Sequence, residues 1–277
     1  MRLIIKISLL ALLVSACDEA TDLDLNQTPP KLVIEGLVTN KADQQSVKLS
    51  WSTDFYGSGQ TPRVSDAAVV VFDNNGFEHA FIHNPGNHPD SVGIYVPETS
   101  FAGEIGKTYT LRVTLDSEVY EATDRLVSVI PVDSLKFQIN EDQEDDPKEA
   151  GKIYELMLFA REPQDEDNYY LFKYYRNDSL VVFNPADIYY TDDQFLGEKI
   201  DGVPSPVYYA ANDKARVEVY SLTRQGYVFY NDLYTLLNND GGGMFGPIPA
   251  SPRTNISNGA LGFFQVSAVQ EKETYIE

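Results

Sequence analysis

Three histidines, several acidic runs, four tyrosine pairs and a single cysteine are the residues whose types and spacing could support chemistry in this chain. His79, His83 and His88 lie within ten residues of one another, a density that invites metal coordination. On a strand, His79 and His83 share a face but stand about 13 Å apart along it. One zinc ion needs its ligands at about 2.1 Å. Surface histidines are the plainer reading, and no metal is expected. The runs Glu141–Asp146, Asp165–Asp167 and Asp192-Asp193 lack the alternating spacing and closing glutamate of a calcium loop, so they read as solvated loop charge. The sequence has no Gly-x-Ser-x-Gly elbow, phosphate-binding glycine loop or His-Glu-x-x-His pair. No catalytic residue is nominated and no cofactor is expected. The pattern favours a non-enzyme.

The tyrosines offer more. They pair at 169–170, 174–175, 189–190 and 208–209. Adjacent side chains on a strand point to opposite faces, so one ring of each pair packs inward and the other outward. Tyr170, Tyr175, Tyr190 and Tyr209 are taken as the outward set, a candidate binding face on which a sugar could stack. A second candidate is the Gly/Pro-rich loop carrying Met244, Phe245, Pro247 and Pro249, because long ordered loops are often functional.

Cys17 is the one cysteine, so no intramolecular disulfide can form. Arg2 and Lys6 open the chain, Ile4–Val14 is an almost unbroken apolar run, and Ser15-Ala16 precede the cysteine. That order reads as a signal peptide over residues 1–16. The apolar run is about half the ~20 residues a membrane span needs. Leu13-Val14-Ser15-Ala16-Cys17 resembles a bacterial lipobox, which implies acylation of Cys17 and a lipid anchor in the membrane. Residues 17–30 then read as an acidic tether. Asp18 and Glu19 follow the cysteine directly. In enterobacteria an aspartate there implies retention at the inner membrane, whereas in Bacteroidota the acidic pair resembles an export signal to the cell surface.

Composition narrows the partners. The net charge of −21 becomes −23 once Arg2 and Lys6 leave with the signal peptide. Nucleic acid is excluded, because phosphate binding needs clustered Lys and Arg. With 43% apolar residues, 18 tyrosines and 14 phenylalanines, the chain can bury a real core.

Short period-two patterns recur from Lys31 onward. Val47, Leu49 and Trp51 alternate, Ala67–Phe72 runs into an Asp73-Asn74-Asn75-Gly76 hairpin turn, and Tyr109, Leu111, Val113 and Leu115 alternate again. The fold class is mainly β. An Ig- or prealbumin-like β-sandwich is expected over residues 31–130, and a second β-rich domain with one helix over 131–277. The helix is expected near 224–239, where Tyr227, Tyr230, Leu233, Tyr234 and Leu237 recur at helical spacing before an Asn/Asp/Gly stop. Asn255 and Asn258 can bond their own loop backbone. Gly259 and Gly262 mark a place where the chain turns or approaches another strand closely.

Asn255-Ile256-Ser257-Asn258-Gly259-Ala260-Leu261-Gly262-Phe263-Phe264 resembles the closing signature of a Bacteroidota lipoprotein family known as domain of unknown function 4249. Lys31–Gly36, Val64–Val69, Gly93-Ile94-Tyr95 and Gly106–Leu111 fit the same family. The N-terminal half is also similar to carboxypeptidase-regulatory, prealbumin-like β-sandwiches. The resemblance implies an outer-membrane, surface-facing lipoprotein, a non-catalytic accessory or binding partner of a TonB-dependent transporter. It also favours the export reading of Asp18-Glu19. The alternative is a structural or envelope-assembly lipoprotein without a small-molecule ligand.

Overall fold

Alternating apolar residues build the first body. In β1 (Leu32–Thr39), Leu32, Ile34 and Val38 are buried, and in β2 (Ser46–Trp51) Val47 and Leu49 follow the same rule. These strands belong to a computed structural model that describes residues 29–53, 61–163, 167–196, 199–238 and 251–277. The chain continues with β3 (Ala68–Asp73), β4 (Glu78–His83), β5 (Ile94–Pro97), β6 (Thr108–Leu115) and β7 (Glu118–Arg125). An eighth strand, β15 (Leu261–Ser267), comes from the far end of the sequence. The sheet order is β15-β1-β2-β5-β4-β3-β6-β7. The mainly β expectation is met.

The two motif tyrosines of this body are structural. The Tyr95 ring is buried, and its hydroxyl donates to the Val64 carbonyl at 3.2 Å and accepts from the Ala67 N–H at 3.1 Å. Tyr109 accepts the Glu104 N–H in the same way, at 2.9 Å. Each ring fills core while its hydroxyl ties down a crossing loop.

The eight-stranded sheet curls until its two ends nearly meet, and the Asn255–Gly262 signature forms the seam. Asn255 exchanges two hydrogen bonds with the Phe264 backbone, donating to its carbonyl at 2.8 Å and accepting from its N–H at 3.0 Å. Ile256 bridges Ala122 of β7, while Ser257 bonds the Glu121 backbone. Asn258 reaches the Glu118 carboxylate at 2.7 Å. The asparagines bond outward to β15 and β7, where the sequence reading has them bonding their own loop backbone. An amide side chain carries a donor and an acceptor, so it can stand in for a strand residue across a gap. Gly259 and Gly262 divide the expected roles. Gly259 turns at φ +71° with open space around it, and Gly262 brings β15 against β1 at φ +95°.

The second body packs two sheets face to face. One is β13-β9-β8, from β8 (Val132–Ile139), β9 (Tyr154–Arg161) and β13 (Lys199–Tyr209). The other is β11-β10-β14-β16, from β10 (Tyr169–Arg176), β11 (Ser179–Leu180), β14 (Lys214–Leu222) and β16 (Val269–Tyr275). A further strand, β12 (Tyr189–Asp192), adds to β10 and leads into a single turn, α1 (Asp193–Leu196). Leu158, Tyr170, Phe172 and Val219 fill the space between the sheets. The helix α2 (Arg224–Leu237) lies in the expected place, capped by the Thr223 hydroxyl, which accepts the Gly226 N–H. Its stripe is only partly covered: Tyr234 and Leu237 remain exposed, and buried Asp232 pairs with the exposed Arg253.

Ala268 alone separates β15 in the first body from β16 in the second. A division of the chain near residue 130 thus describes sequence order, while the last strands return to stitch both bodies together. Buried polar contacts secure the crossing. Ser221 donates its N–H to the Ala268 carbonyl at 2.9 Å and accepts the Ala268 N–H at its hydroxyl, also at 2.9 Å.

Asp124 of β7 lies beside this crossing. Its buried carboxylate accepts from the Val266 N–H at 2.9 Å and from the helix-capping Thr223 hydroxyl at 2.8 Å. Burial raises its pKa from 3.8 to about 6 against these hydrogen bonds. The folded chain therefore holds this proton more tightly than the unfolded chain. The resulting stability is fully present below pH 3.8 and is lost as pH rises towards 6. The gap between those values corresponds to about 3 kcal/mol. Asp124→Asn is expected to remove that pH slope. In urea unfolding at pH 3.5 and pH 7, the variant should gain about 3 kcal/mol on the native protein across the interval. Parallel curves would defeat this account.

Candidate functional site

The three histidines make local structural contacts. His79 stacks on Phe101 with ring centroids 3.6 Å apart, and burial pushes its pKa down. His83 accepts the Gly93 N–H at 2.9 Å, and His88 accepts the Asp90 N–H at 3.3 Å. Among the described residues, no three His, Cys, Asp or Glu side chains converge on a metal-sized site.

The four nominated tyrosines do not share one face. Tyr170 and Tyr209 are almost completely buried, which corrects their assignment as outward rings. The reason lies in the sheet. Both faces of β10 are covered, so alternation separates two packed sides rather than core from water. Tyr170 donates its hydroxyl to Glu162 at 2.8 Å. The Tyr209 hydroxyl is buried with no hydrogen-bond partner among the described residues, and burial raises its pKa. Tyr175 lies on the opposite side of β10 from Tyr174, under the Arg216 guanidinium at 3.8 Å, and bonds Glu218. Of these four, Tyr190 lines a cleft formed by the described residues.

That cleft opens between β12 and β13. Antiparallel pairing sets Leu171 against Tyr190 and Phe172 against Tyr189. On the opposite wall, β13 loses its register with β9 at Gly202 and again between Pro204 and Tyr208. Gly202, at φ +79°, permits the first bulge, and prolines cannot donate to a ladder. Ser205 compensates by accepting the Leu156 N–H at 3.0 Å. Pro204, still opposite Met157, and Pro206, inside the second irregularity, line a cavity of about 420 Å³ together with Tyr174, Tyr189, Tyr190 and Tyr227. A shallower groove of about 530 Å³ continues on the far side of Tyr190, past Asn184, Asp187 and Tyr234. Both volumes fall in the usual range for small-ligand sites.

The rings are held in place. Tyr190 donates to Asn231 at 3.1 Å and meets Tyr227 and Tyr234 edge to face. Tyr227 donates to Asp192 at 3.4 Å. Burial raises the pKa of Tyr174, Tyr189 and Tyr190, and Asp192 adds to the effect of burial at Tyr227. These phenols stay protonated at neutral pH. They donate hydrogen bonds and present ring faces, but they are poor bases. No His, Lys or Arg is among the described residues lining either groove. The arrangement suits binding.

Sequence reasoning nominated one ring of each pair and missed Tyr174, Tyr189 and Tyr227. One signal was available, since Gly202, Pro204 and Pro206 in a single strand mark a bulge. Cys17, Asp18, Glu19, Met244, Phe245, Pro247 and Pro249 lie outside the described residues. No helix among the described residues is long and apolar enough to cross a membrane.

Fold and cleft together define a two-body, mainly β protein with an aromatic cleft on its second body. The chain belongs to the family described as domain of unknown function (DUF4249), which it matches over residues 18–273. No curated protein matches it in sequence.

Proposed function

We propose that this protein is a lipid-anchored, surface-facing lipoprotein of the outer membrane, serving as a non-catalytic accessory or binding partner of a TonB-dependent transporter. The observation that carries the binding role is the cleft of Tyr174, Tyr189, Tyr190 and Tyr227, which offers ring faces and hydroxyls without an acid–base pair. The lipobox-like Leu13–Cys17 and the acidic Asp18-Glu19 support the location. In a Bacteroidota cell this pair reads as the export signal. Lipid on Cys17 holds the chain at the membrane, and the acidic tether lets the two bodies stand away from it.

Three outcomes are expected. Detergent pull-down of the native lipoprotein, read by mass spectrometry, should recover the transporter. Cys17→Ser should move the protein from the membrane to the soluble fraction. Replacing Asp18 and Glu19 with alanine should leave the anchor intact but abolish cleavage by protease added to whole cells. Recovery of neither transporter nor cargo would return the reading to a structural, envelope-assembly lipoprotein.

A further inference from the structure

We propose that the cleft between β12 and β13 takes an organic cation, an alkylammonium group in particular, rather than a neutral sugar. The inference names the ligand chemistry of the binding role and rests on it.

Ring geometry is the first argument. Tyr174 and Tyr189 stand at 76° with centroids 5.5 Å apart, and Tyr190 and Tyr227 stand at 63°, also 5.5 Å apart. Steeply angled rings make the walls of a box and not a platform. A sugar stacks on one open face, whereas an ammonium group gains from several ring quadrupoles at once.

Charge is the second argument. Asp192 lines the cleft, and no cationic side chain is among the described residues lining it. Hydrogen-bond donation from Tyr227 to Asp192 increases electron density in a ring of the box. The whole chain carries −21, so its field draws cations and repels anions.

A third argument comes from beside the adjoining groove, where the protein already seats an ammonium in this way. Lys148 lies 4.7 Å from the Phe183 ring centroid and 3.5 Å from the Asp187 carboxylate. Aromatic face plus carboxylate is thus a working cation site on this surface. The cleft repeats that chemistry with more rings.

Isothermal titration of the detergent-solubilised full chain tests the proposal, using choline, maltotriose and acetate as probes. Choline should bind saturably at one site, with neither maltotriose nor acetate competing. Tyr190→Leu should weaken choline at least about tenfold, while Tyr190→Phe, which keeps the ring, should stay within about threefold. Asp192→Asn, close to isosteric, should weaken choline about threefold or more and decides the matter if Tyr190→Leu does not fold. Absence of saturable choline binding, binding of maltotriose in its place, or unchanged choline affinity in Asp192→Asn would each overturn the assignment. Pull-down of the transporter is a separate readout, so a cleft that ignores choline can fail here while the accessory role stands.

Discussion

Gly262→Ala is expected to unfold the protein or lower its melting temperature by at least about 8 °C, a loss of about 4 kcal/mol or more. Two effects combine at this position. The backbone holds φ +95°, which L side chains rarely adopt. A Cβ there would also stand 2.1 Å from the Ile34 carbonyl oxygen and 2.8 Å from its carbon. Both atoms are backbone, so no rotamer change relieves the contact. Relief requires β15 to leave β1, and with it the parallel register from Val33↔Leu261 to Thr39↔Ser267. That strand is also the first body's link to β16. Gly259→Ala is the control, because it shares a positive φ of +71° but meets nothing within 4 Å. It should cost about 1–2 kcal/mol. Thermal melts of the two variants that coincide would refute the close approach.

Glu218→Leu is expected to destabilise the fold by about 3–5 kcal/mol in urea unfolding. Glu218 is 2% exposed in the middle of β14. Its carboxylate accepts the hydroxyls of Tyr175 at 2.8 Å and Tyr220 at 2.7 Å, and pairs with Arg216. Lys173 lies over the Tyr220 ring at 4.4 Å, with burial pushing its pKa down and Glu218 holding it up. Removing the carboxylate leaves two phenols and a guanidinium without their acceptor in a half-dry place. The cost comes mainly from those orphaned donors. Adding Tyr175→Phe and Tyr220→Phe to Glu218→Leu should therefore recover about 1 kcal/mol or more. A triple variant as unstable as the single one would show that packing, not donor satisfaction, sets the loss.

The legible part of this fold was the part with water on one side. Strands β1, β2, β3 and β6 alternate because one face meets the first core and the other meets solvent. Helix α2 was readable from its period and from the polar stop that follows it. The strands that escaped were those whose residues answer to something other than solvent. Val132–Ile139 and Val269–Tyr275 are not among the strands read from the sequence, yet β8 pairs with β9 and β16 pairs with β14. Backbone pairing holds them, and that leaves little trace in side-chain type. The long apolar run from Ala260 to Val269 has the pattern of one strand. It is broken at Ala268, where the chain passes from one sheet to another.

The candidate site was half visible for the same reason. Tyrosine pairs announced aromatic strands in the second body, and Tyr190 does line the cleft. The choice within each pair depended on which face is open, and β10 has no open face along most of its length.

By itself the sequence determined the class of fold, the first body's strands, the helix, the family signature and the absence of familiar catalytic motifs. Each of these follows from local periodicity or from residues close in the chain. Tertiary structure alone decided that Asn255–Gly262 is a seam, that β15 and β16 suture two bodies, that Asp124 is a buried acid beneath a helix cap, and that four rings and two prolines enclose a cleft. Those features join residues far apart in the chain, as when Asn258 meets Glu118. Burial and partner choice at such distances are settled by the whole packing, which no local pattern records.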